Sequence, residues 1–144
     1  MKCFMCRTVK DKKFFIRDYN QWKVVLHPNQ CYLGRCLIIA KRHVEDLFEI
    51  NDQEEKELFE VVRKLKGALE EVFNPNLLNY ASLGNKVPHL HLHVIPRYER
   101  SVEYCGIVFS DKKWGSNPYP YEKDFSIPEK IYDQIISGIK SKLG

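Results

Sequence analysis

Hydrophobic positions along the chain follow two different periods, and each period predicts a different kind of element. Short runs rich in β-branched and aromatic residues, separated by turn-forming residues, predict strands of an antiparallel sheet. These runs are residues 14–17, 22–26, 35–39 and 77–82. A less regular run near the C-terminal end, residues 102–109, predicts one further strand.

Residues 52–73 instead repeat apolar side chains at three- and four-residue spacing, which predicts a long amphipathic helix. Asn51 or Asp52 is the predicted N-cap. The charged face of this helix is interpreted as solvated surface rather than as a site. Residues 128–143 predict a C-terminal helix, and residues 41–48 a helical turn.

Histidine alternates with apolar residues in the segment 87–97. Successive side chains of an extended strand point to opposite faces, so His89, His91 and His93 are expected to share one face. These are three of the five histidines in the chain, and such clustering of a side chain that titrates near neutral pH indicates function. His27, which precedes a proline at a strand end, is interpreted as a turn residue rather than a pocket residue.

Residues 83–86 predict a tight turn into the histidine strand, with Gly84 supplying the backbone freedom. The resulting hairpin is expected to set Asn79, Ser82 and Asn85 near the histidines.

Composition places the chain among soluble globular proteins and excludes a disordered chain. It has 144 residues, of which 44% are hydrophobic and 29% charged, which predicts one domain of ordinary size. The longest apolar run, 36–40, is too short for a membrane helix, and the first residues show no secretory signal, so a cytoplasmic protein is expected. The net charge of +4 suits anionic ligands, but no aromatic-basic nucleic-acid motif is present.

The five cysteines are an odd number, and without an export signal a disulfide framework is not expected. Metal binding, redox chemistry and plain packing remain open for them. Cys3 and Cys6 have the spacing that clamps one zinc ion, but they supply only half of a tetrahedral site.

Three chemistries suit the histidine row. Three imidazoles on one face can hold a catalytic zinc, although neighbours on one strand face lie about 6.5 to 7 Å apart and converge poorly on one ion. A neutral imidazole can instead attack phosphorus and form a phosphohistidine, and His91, flanked on both sides, is best placed for that. The third interpretation is a polar, exposed sheet face without chemistry.

The alternation His-apolar-His-apolar-His-apolar-apolar over residues 89–95 resembles the signature of the histidine triad (HIT) superfamily. Residues 33–43 are similar to the glycine, strand and basic-histidine segment of that family, and the resemblance covers roughly residues 3–97. It implies an α+β fold with a five-stranded antiparallel sheet, a long helix and a C-terminal helix, usually paired as a homodimer. It also implies a nucleotidyl hydrolase or transferase acting at the α-phosphate of dinucleoside polyphosphates or nucleoside phosphoramidates, such as a diadenosine polyphosphate hydrolase.

The same resemblance assigns roles to individual residues. His91 is the expected nucleophile of a covalent nucleotidyl intermediate, and His93 its hydrogen-bonding partner in the phosphate site. Asn79, Gly84 and Asn85 are expected to bind substrate.

This sequence departs from the family pattern at one position of the third predicted strand. Many members have histidine where Arg35 stands. An arginine is permanently charged and donor-only, and it can bind a phosphate or pair with a carboxylate.

Zinc-containing relatives, including galactose-1-phosphate uridylyltransferase, imply a structural zinc held by Cys3, Cys6, His43 and His89. The expected organisation is a single HIT domain over residues 1–144, with a zinc-binding segment at 1–10.

Residues 98–144 are expected to form a C-terminal extension with an aromatic loop and a helix. Two other functions stay open: a non-catalytic nucleotide-binding or zinc-stabilised interaction protein, and a metal hydrolase with its zinc on the triad itself.

Overall fold

The computed structural model describes residues 3–10 and 12–144, and a five-stranded antiparallel sheet lies at its centre. The strands are β1 Phe15–Asp18, β2 Trp22–Leu26, β3 Cys36–Ala40, β4 Leu77–Ala81 and β5 His91–Arg97. Their order across the sheet is β1-β2-β3-β5-β4. The strand that carries His91 and His93 is therefore paired on both sides, which fixes its backbone.

The helices are α1 Phe4–Lys10, α2 Asp52–Phe73 and α3 Glu129–Lys142, with a short 3-10 helix at Leu47–Glu49. A capping box begins α2, because the Asn51 side chain accepts from the Glu54 N–H at 2.8 Å and the Glu54 carboxylate accepts from the Asn51 N–H at 2.9 Å. Asn74, in the left-handed conformation, ends the helix.

Helices α2 and α3 cover one face of the sheet and bury the larger core with it. The packing is apolar throughout and involves Val24, Ile38 and Val94 of the sheet and Leu65, Leu69, Ile135 and Ile139 of the helices.

The other face has two partial covers. Met5 of α1 packs against Val25 and Ile39, and the segment 110–128 packs its aromatic side chains near Ile95. His91 and His93 lie on this face, opposite Ile39 and Leu37 of β3, so the fold leaves the histidines between the two covers.

The predicted fold class and the bounds of the long helix are confirmed, but two local predictions were wrong and one helix was not predicted. Residues 102–109 form a hairpin of two strands, β6 Val102–Tyr104 and β7 Ile107–Phe109, because Cys105 and Gly106 both adopt positive φ between them. The sequence did not predict α1.

The third difference lies at the histidine strand itself. The segment 82–90 is irregular rather than a tight turn, and β5 begins only at His91. His89 precedes the strand and closes a short turn, in which its N–H donates to the Val87 carbonyl at 2.8 Å.

Two further predictions concern the ends of the chain and the membrane. Met1 and Lys2, part of the zinc-binding segment predicted at 1–10, lie outside the described residues. Among the helices that the structure describes, none is long and apolar enough to cross a membrane.

Candidate functional site

Four side chains from three distant parts of the chain converge beside the start of β5. The ligand atoms of Cys3, Cys6, His43 and His89 all lie within 4.8 Å of one another. His89 Nδ1 is 3.4 Å from each of the two Sγ atoms, and the two Nδ1 atoms are 3.1 Å apart. Helix α1 supplies Cys6 and the residue just before the helix is Cys3, so the unpredicted helix is what brings both thiols to the histidines.

The imidazole of His89 is oriented so that a ring nitrogen with a free lone pair faces this cluster. Its Nε2 donates to the Ala40 carbonyl at 2.6 Å, which leaves Nδ1 unprotonated toward the thiols. Burial lowers the pKa of His89, so the ring is neutral at physiological pH. Two imidazole nitrogens and two thiols in this arrangement can hold a metal ion.

His43 completes the set from a more exposed position. Its Nδ1 is 3.4 Å from the Cys6 Sγ, and its Nε2 is 3.6 Å from a carboxylate oxygen of Glu45. A carboxylate on the far ring nitrogen is the arrangement that orients metal-binding histidines in other proteins. The four residues therefore supply the ligand atoms, and Ala40 and Glu45 supply the oxygens that face the far nitrogens of the two imidazoles.

His91 is held by the same turn that carries His89. Its Nδ1 donates to the backbone carbonyl of His89 at 2.6 Å, which places the proton on Nδ1 and leaves the Nε2 lone pair free. The side chain is buried, with 7% of its surface exposed. A neutral imidazole with a fixed tautomer is the form that attacks an electrophile.

His93 lies next to His91 on the same face, with 5.1 Å between their ring centroids. Its Nδ1 is 3.4 Å from Nη2 of Arg35, so Nδ1 is the acceptor and the proton is on Nε2. Burial, followed by the positive charge of Arg35 and by His91, lowers the pKa of His93 to about 4.

His27 is a turn residue, as interpreted from the sequence, and it also lies beside the histidine face. Its ring centroid lies 6.2 Å from that of His93, and its Nδ1 accepts from the Asn29 N–H at 2.9 Å. Burial, followed by the charges of Arg35 and His93, lowers the pKa of His27 to about 3. The pattern of residues around His27 suited a turn equally well, and only its distance from His93 reveals its place.

The C-terminal extension contributes two tyrosines to the same region. Tyr119 donates no hydrogen bond to the triad, but its ring lies 6.1 Å from that of His93, and its hydroxyl accepts from Arg35 Nη2 at 3.2 Å. The Tyr121 ring lies 5.9 Å from that of His27. The predicted aromatic loop thus lies against the histidine face within this subunit.

The predicted substrate-binding residues occupy different positions. Asn79 lies on β4 opposite Ile95, and its side-chain oxygen accepts from Arg97 Nη1 at 2.8 Å. Gly84, with φ of 68°, and the exposed Asn85 lie in the irregular segment before the triad. Asn79 is therefore engaged by an arginine, whereas Asn85 is open to solvent.

Comparison with known proteins shows which family the chain resembles. The family model described as the HIT domain matches residues 7–100. "Protein hit" of Bacillus subtilis is 31% identical over 103 residues, which are 67% of this chain and 71% of that protein. An asymmetrical bis(5'-nucleosyl)-tetraphosphatase of Schizosaccharomyces pombe is 32% identical over 83 residues, 54% of this chain and 46% of the enzyme, so the match spans about half of that relative.

The fold matches solved structures over almost the whole chain. A Zn-bound histidine triad family protein of Mycobacterium smegmatis superposes with a TM-score of 0.69 at 20% identity, covering 99% of this chain and 94% of that one. At this identity the match concerns the fold alone.

Proposed function

This chain belongs to the HIT domain family, and on that premise we propose that it is a nucleotidyl hydrolase or transferase acting at the α-phosphate of a nucleotide. The observation that carries the proposal is the 2.6 Å hydrogen bond from His91 Nδ1 to the His89 carbonyl. That bond leaves Nε2 as the only ring nitrogen able to attack, and it holds the ring in place for the attack.

The reaction takes place in two steps. His91 Nε2 attacks the α-phosphorus, a P–N bond forms, and the bond from phosphorus to the leaving group breaks with its electron pair going to that group. Water then attacks the same phosphorus and loses a proton to solvent, and the P–N bond breaks and returns its electron pair to Nε2. In a transferase an acceptor hydroxyl or amine takes the place of water.

The residues around His91 have supporting roles. While the nucleotidyl group is attached, the His91 ring carries positive charge, and the His89 carbonyl at Nδ1 stabilises it. His93 Nε2–H is available to donate to a phosphoryl oxygen, since its Nδ1 faces Arg35. Binding and orienting the phosphate supplies most of the rate in such reactions.

Relatives support a hydrolase of dinucleoside polyphosphates. The fission yeast tetraphosphatase is 32% identical over its matching part. A non-catalytic nucleotide-binding protein of the same fold is the alternative. The Arg35 position, where many family members have histidine, is what keeps that alternative open.

We also propose that the Cys3, Cys6, His43 and His89 cluster binds a structural zinc ion. A tetrahedral zinc with two nitrogen and two sulfur ligands has ligand-to-ligand separations of about 3.3 to 3.8 Å. The separations of 3.4 Å between imidazole nitrogens and thiol sulfurs lie within that range, and the 3.1 Å between the two Nδ1 atoms lies just below it. Because protein side chains would fill all four coordination positions, the ion would stabilise the fold and would not take part in the reaction.

Assembly and location remain predictions that follow from the family. The edge strand β4 exposes Leu77, Tyr80 and, just beyond it, Leu83, and an exposed apolar sheet edge favours pairing with a second copy. Light scattering of the purified chain would show a mass twice that of the monomer, and Tyr80→Lys is expected to reduce it. A cytoplasmic location is retained as the expectation.

The decisive experiment compares the wild type with His91→Ala and His91→Gly. Incubation with diadenosine tetraphosphate labelled at the α-phosphate should transiently label the wild type through an acid-labile P–N bond. His91→Ala should lose label and at least about 1,000-fold of kcat. Added imidazole should partly restore turnover by His91→Gly, because it replaces the missing ring.

The alternative function gives a different result. Nucleotide binding seen by calorimetry without any product, in a wild type with a normal melting temperature, would favour the non-catalytic protein. Turnover that survives in His91→Ala would exclude His91 as the nucleophile.

A further inference from the structure

Arg35 is buried, charged and incompletely hydrogen-bonded. Its exposed fraction is 1%, and neither Nε nor Nη1 has a hydrogen-bond partner among the described residues. Those two nitrogens carry three of the five N–H donors of a guanidinium. Buried donors of this kind are costly to leave unpaired, and in native proteins such a group calls for an explanation.

A second buried arginine in the same chain shows what a structural arginine looks like. Arg97 is 3% exposed, and all three of its guanidinium nitrogens are hydrogen-bonded. Asp111 accepts from two of them, at 2.7 and 3.1 Å. Arg35 lacks this kind of support, so a role in holding the fold does not account for it.

The surroundings of Arg35 carry no compensating negative charge. Within residues 3–10 and 12–144, no carboxylate lies within ion-pair distance of it. Its guanidinium carbon instead lies 4.5 Å from the ring centroid of Tyr121 and 5.6 Å from that of Tyr119. The neighbouring His93 and His27 stay neutral beside it, since burial and the arginine charge both lower their pKa values. Arg35 is therefore a fixed positive charge without an anionic partner among the described residues, and it suits an anionic ligand.

Its position relative to the nucleophile indicates which anion fits. Arg35 contacts His93 at 3.4 Å, and His93 is the neighbour of His91 on the sheet face. The phosphorus under attack must lie about 3 to 3.5 Å from His91 Nε2. Along the sheet face the order is His91, His93, Arg35, so Arg35 lies on the side of His93 that faces away from His91.

We propose that Arg35 binds a second phosphate of the substrate, next to the α-phosphate that His91 attacks. This inference rests on the proposed function and makes its substrate class specific: nucleotides with a chain of two or more phosphates, such as dinucleoside polyphosphates. Nucleoside phosphoramidates have one phosphate and leave Arg35 unpaired. A histidine at this position could not supply the same permanent charge and donor set.

The aromatic segment is the access route to this subsite. The Tyr119 hydroxyl contacts Nη2 at 3.2 Å, and burial raises the pKa of Tyr119, so it is a neutral acceptor that a phosphate oxygen can replace. Because Arg35 is 1% exposed, the phosphate reaches it only as the segment that carries Tyr119 and Tyr121 shifts.

The test measures kcat/KM for diadenosine tetraphosphate and for adenosine 5'-phosphoramidate in four proteins. These are the wild type, Arg35→Met, Arg35→Lys and the control Arg100→Met, whose side chain is exposed. We expect the loss in kcat/KM caused by Arg35→Met to be about 10- to 100-fold larger with the tetraphosphate than with the phosphoramidate, because losing the Arg35 contact to His93 affects both substrates alike. With the tetraphosphate, Arg35→Lys should lose less kcat/KM than Arg35→Met, because lysine keeps the positive charge but lacks the paired N–H donors of the guanidinium.

A loss of equal size with both substrates, or no loss, would overturn the inference while leaving the proposed function in place. If the wild type turns over neither substrate, the proposed function fails, and calorimetry with inorganic tripolyphosphate then decides on Arg35 alone. Binding that is present in the wild type and in Arg100→Met but absent in Arg35→Met supports the subsite. Equal binding in all three, or none in any, overturns it. Circular dichroism melting establishes that each variant is folded.

Discussion

Replacing Arg97 with methionine is expected to destabilise the protein severely, because it strands a buried carboxylate. The Arg97 side chain is 3% exposed and that of Asp111 is 0% exposed, so solvent cannot compensate the loss. The arginine also donates to Asn79 and to the backbone carbonyls of Lys113 and Ser116. It thus connects strand β5 to the segment that bears Tyr119 and Tyr121.

The magnitude follows from the burial of the pair. Removing one partner of a buried, hydrogen-bonded ion pair costs about 3 to 5 kcal/mol, since the remaining charge is left unpaired. Native domains of this kind have a total stability of about 5 to 15 kcal/mol. Arg97→Met should therefore remove about a fifth or more of the stability and lower the melting temperature by about 10 to 15 °C.

Urea denaturation and calorimetry measure the effect, with Arg100→Met as the control for loss of an exposed arginine. The double variant Arg97→Met/Asp111→Asn should be more stable than Arg97→Met alone, because the stranded charge is gone. A loss below about 1 kcal/mol for Arg97→Met, or strict additivity in the double variant, would refute the interpretation of this pair.

Three other predictions concern the metal cluster, the backbone and protonation. Cys3→Ser should abolish stoichiometric zinc and lower the melting temperature, as measured by atomic absorption and calorimetry. Gly34→Ala should cost about 1 to 3 kcal/mol in urea denaturation, because Gly34 has φ of 88° and an added Cβ would lie 2.9 Å from Phe73 Cδ2. His93 should titrate near pH 4 by NMR, well below its usual 6.5; its contribution to stability is then complete above pH 6.5 and is lost as the pH falls toward 4.

Controls and contrary outcomes check these three predictions. Cys105→Ser changes an exposed thiol far from the cluster in sequence and should keep zinc; zinc retained in Cys3→Ser would argue against the four-residue site. Gly67→Ala, in helix α2 with nothing within 4 Å of the added Cβ, should stabilise the protein by up to about 1 kcal/mol. A His93 pKa near 6.5 would mean that the ring is neither buried nor influenced by Arg35.

The sequence predicted best where local chemistry alone determines the structure. The long helix begins and ends where Asn51 and Asn74 cap it, and both caps depend on residues adjacent in the chain. The apolar period of α2 is long enough to exclude a strand. Strand β2 was also located correctly, because its run of apolar residues is buried on both faces.

Helix α1 could not be predicted for the opposite reason. Its seven residues are too few for a periodic pattern, and such a short helix is unstable alone in water. Met5 stabilises it by packing against Val25 and Leu37, residues from two different strands. The contact exists only in the folded chain, so no local sequence pattern predicts the helix.

The candidate site likewise has parts that the sequence predicts and parts that it does not. The triad and the two thiols form recognisable motifs, and the resemblance supplied the four metal-binding candidates that the structure brings together. Arg35 and Tyr119 meet across 84 positions of sequence, and Tyr119 comes from a segment without a repeating pattern. The departure at Arg35 was visible in the sequence, but its two unpartnered nitrogens became visible only with the fold.

His89 connects the candidate metal cluster to His91 through three of its atoms. Its Nε2 is fixed by Ala40, its Nδ1 faces the thiols, and its carbonyl oxygen holds the Nδ1 proton of His91. The turn that places the imidazole of His89 in the candidate metal cluster is therefore the turn that sets the tautomer of His91, the proposed nucleophile. His89 lies before β5, and backbone hydrogen bonds hold the chain there: the Leu90 N–H donates to the Val44 carbonyl at 2.6 Å, and the Leu90 carbonyl accepts from the Ala40 N–H at 3.1 Å. A metal ion bound in the cluster would add a further anchor through the His89 imidazole and so help to hold the His89 carbonyl in place for His91.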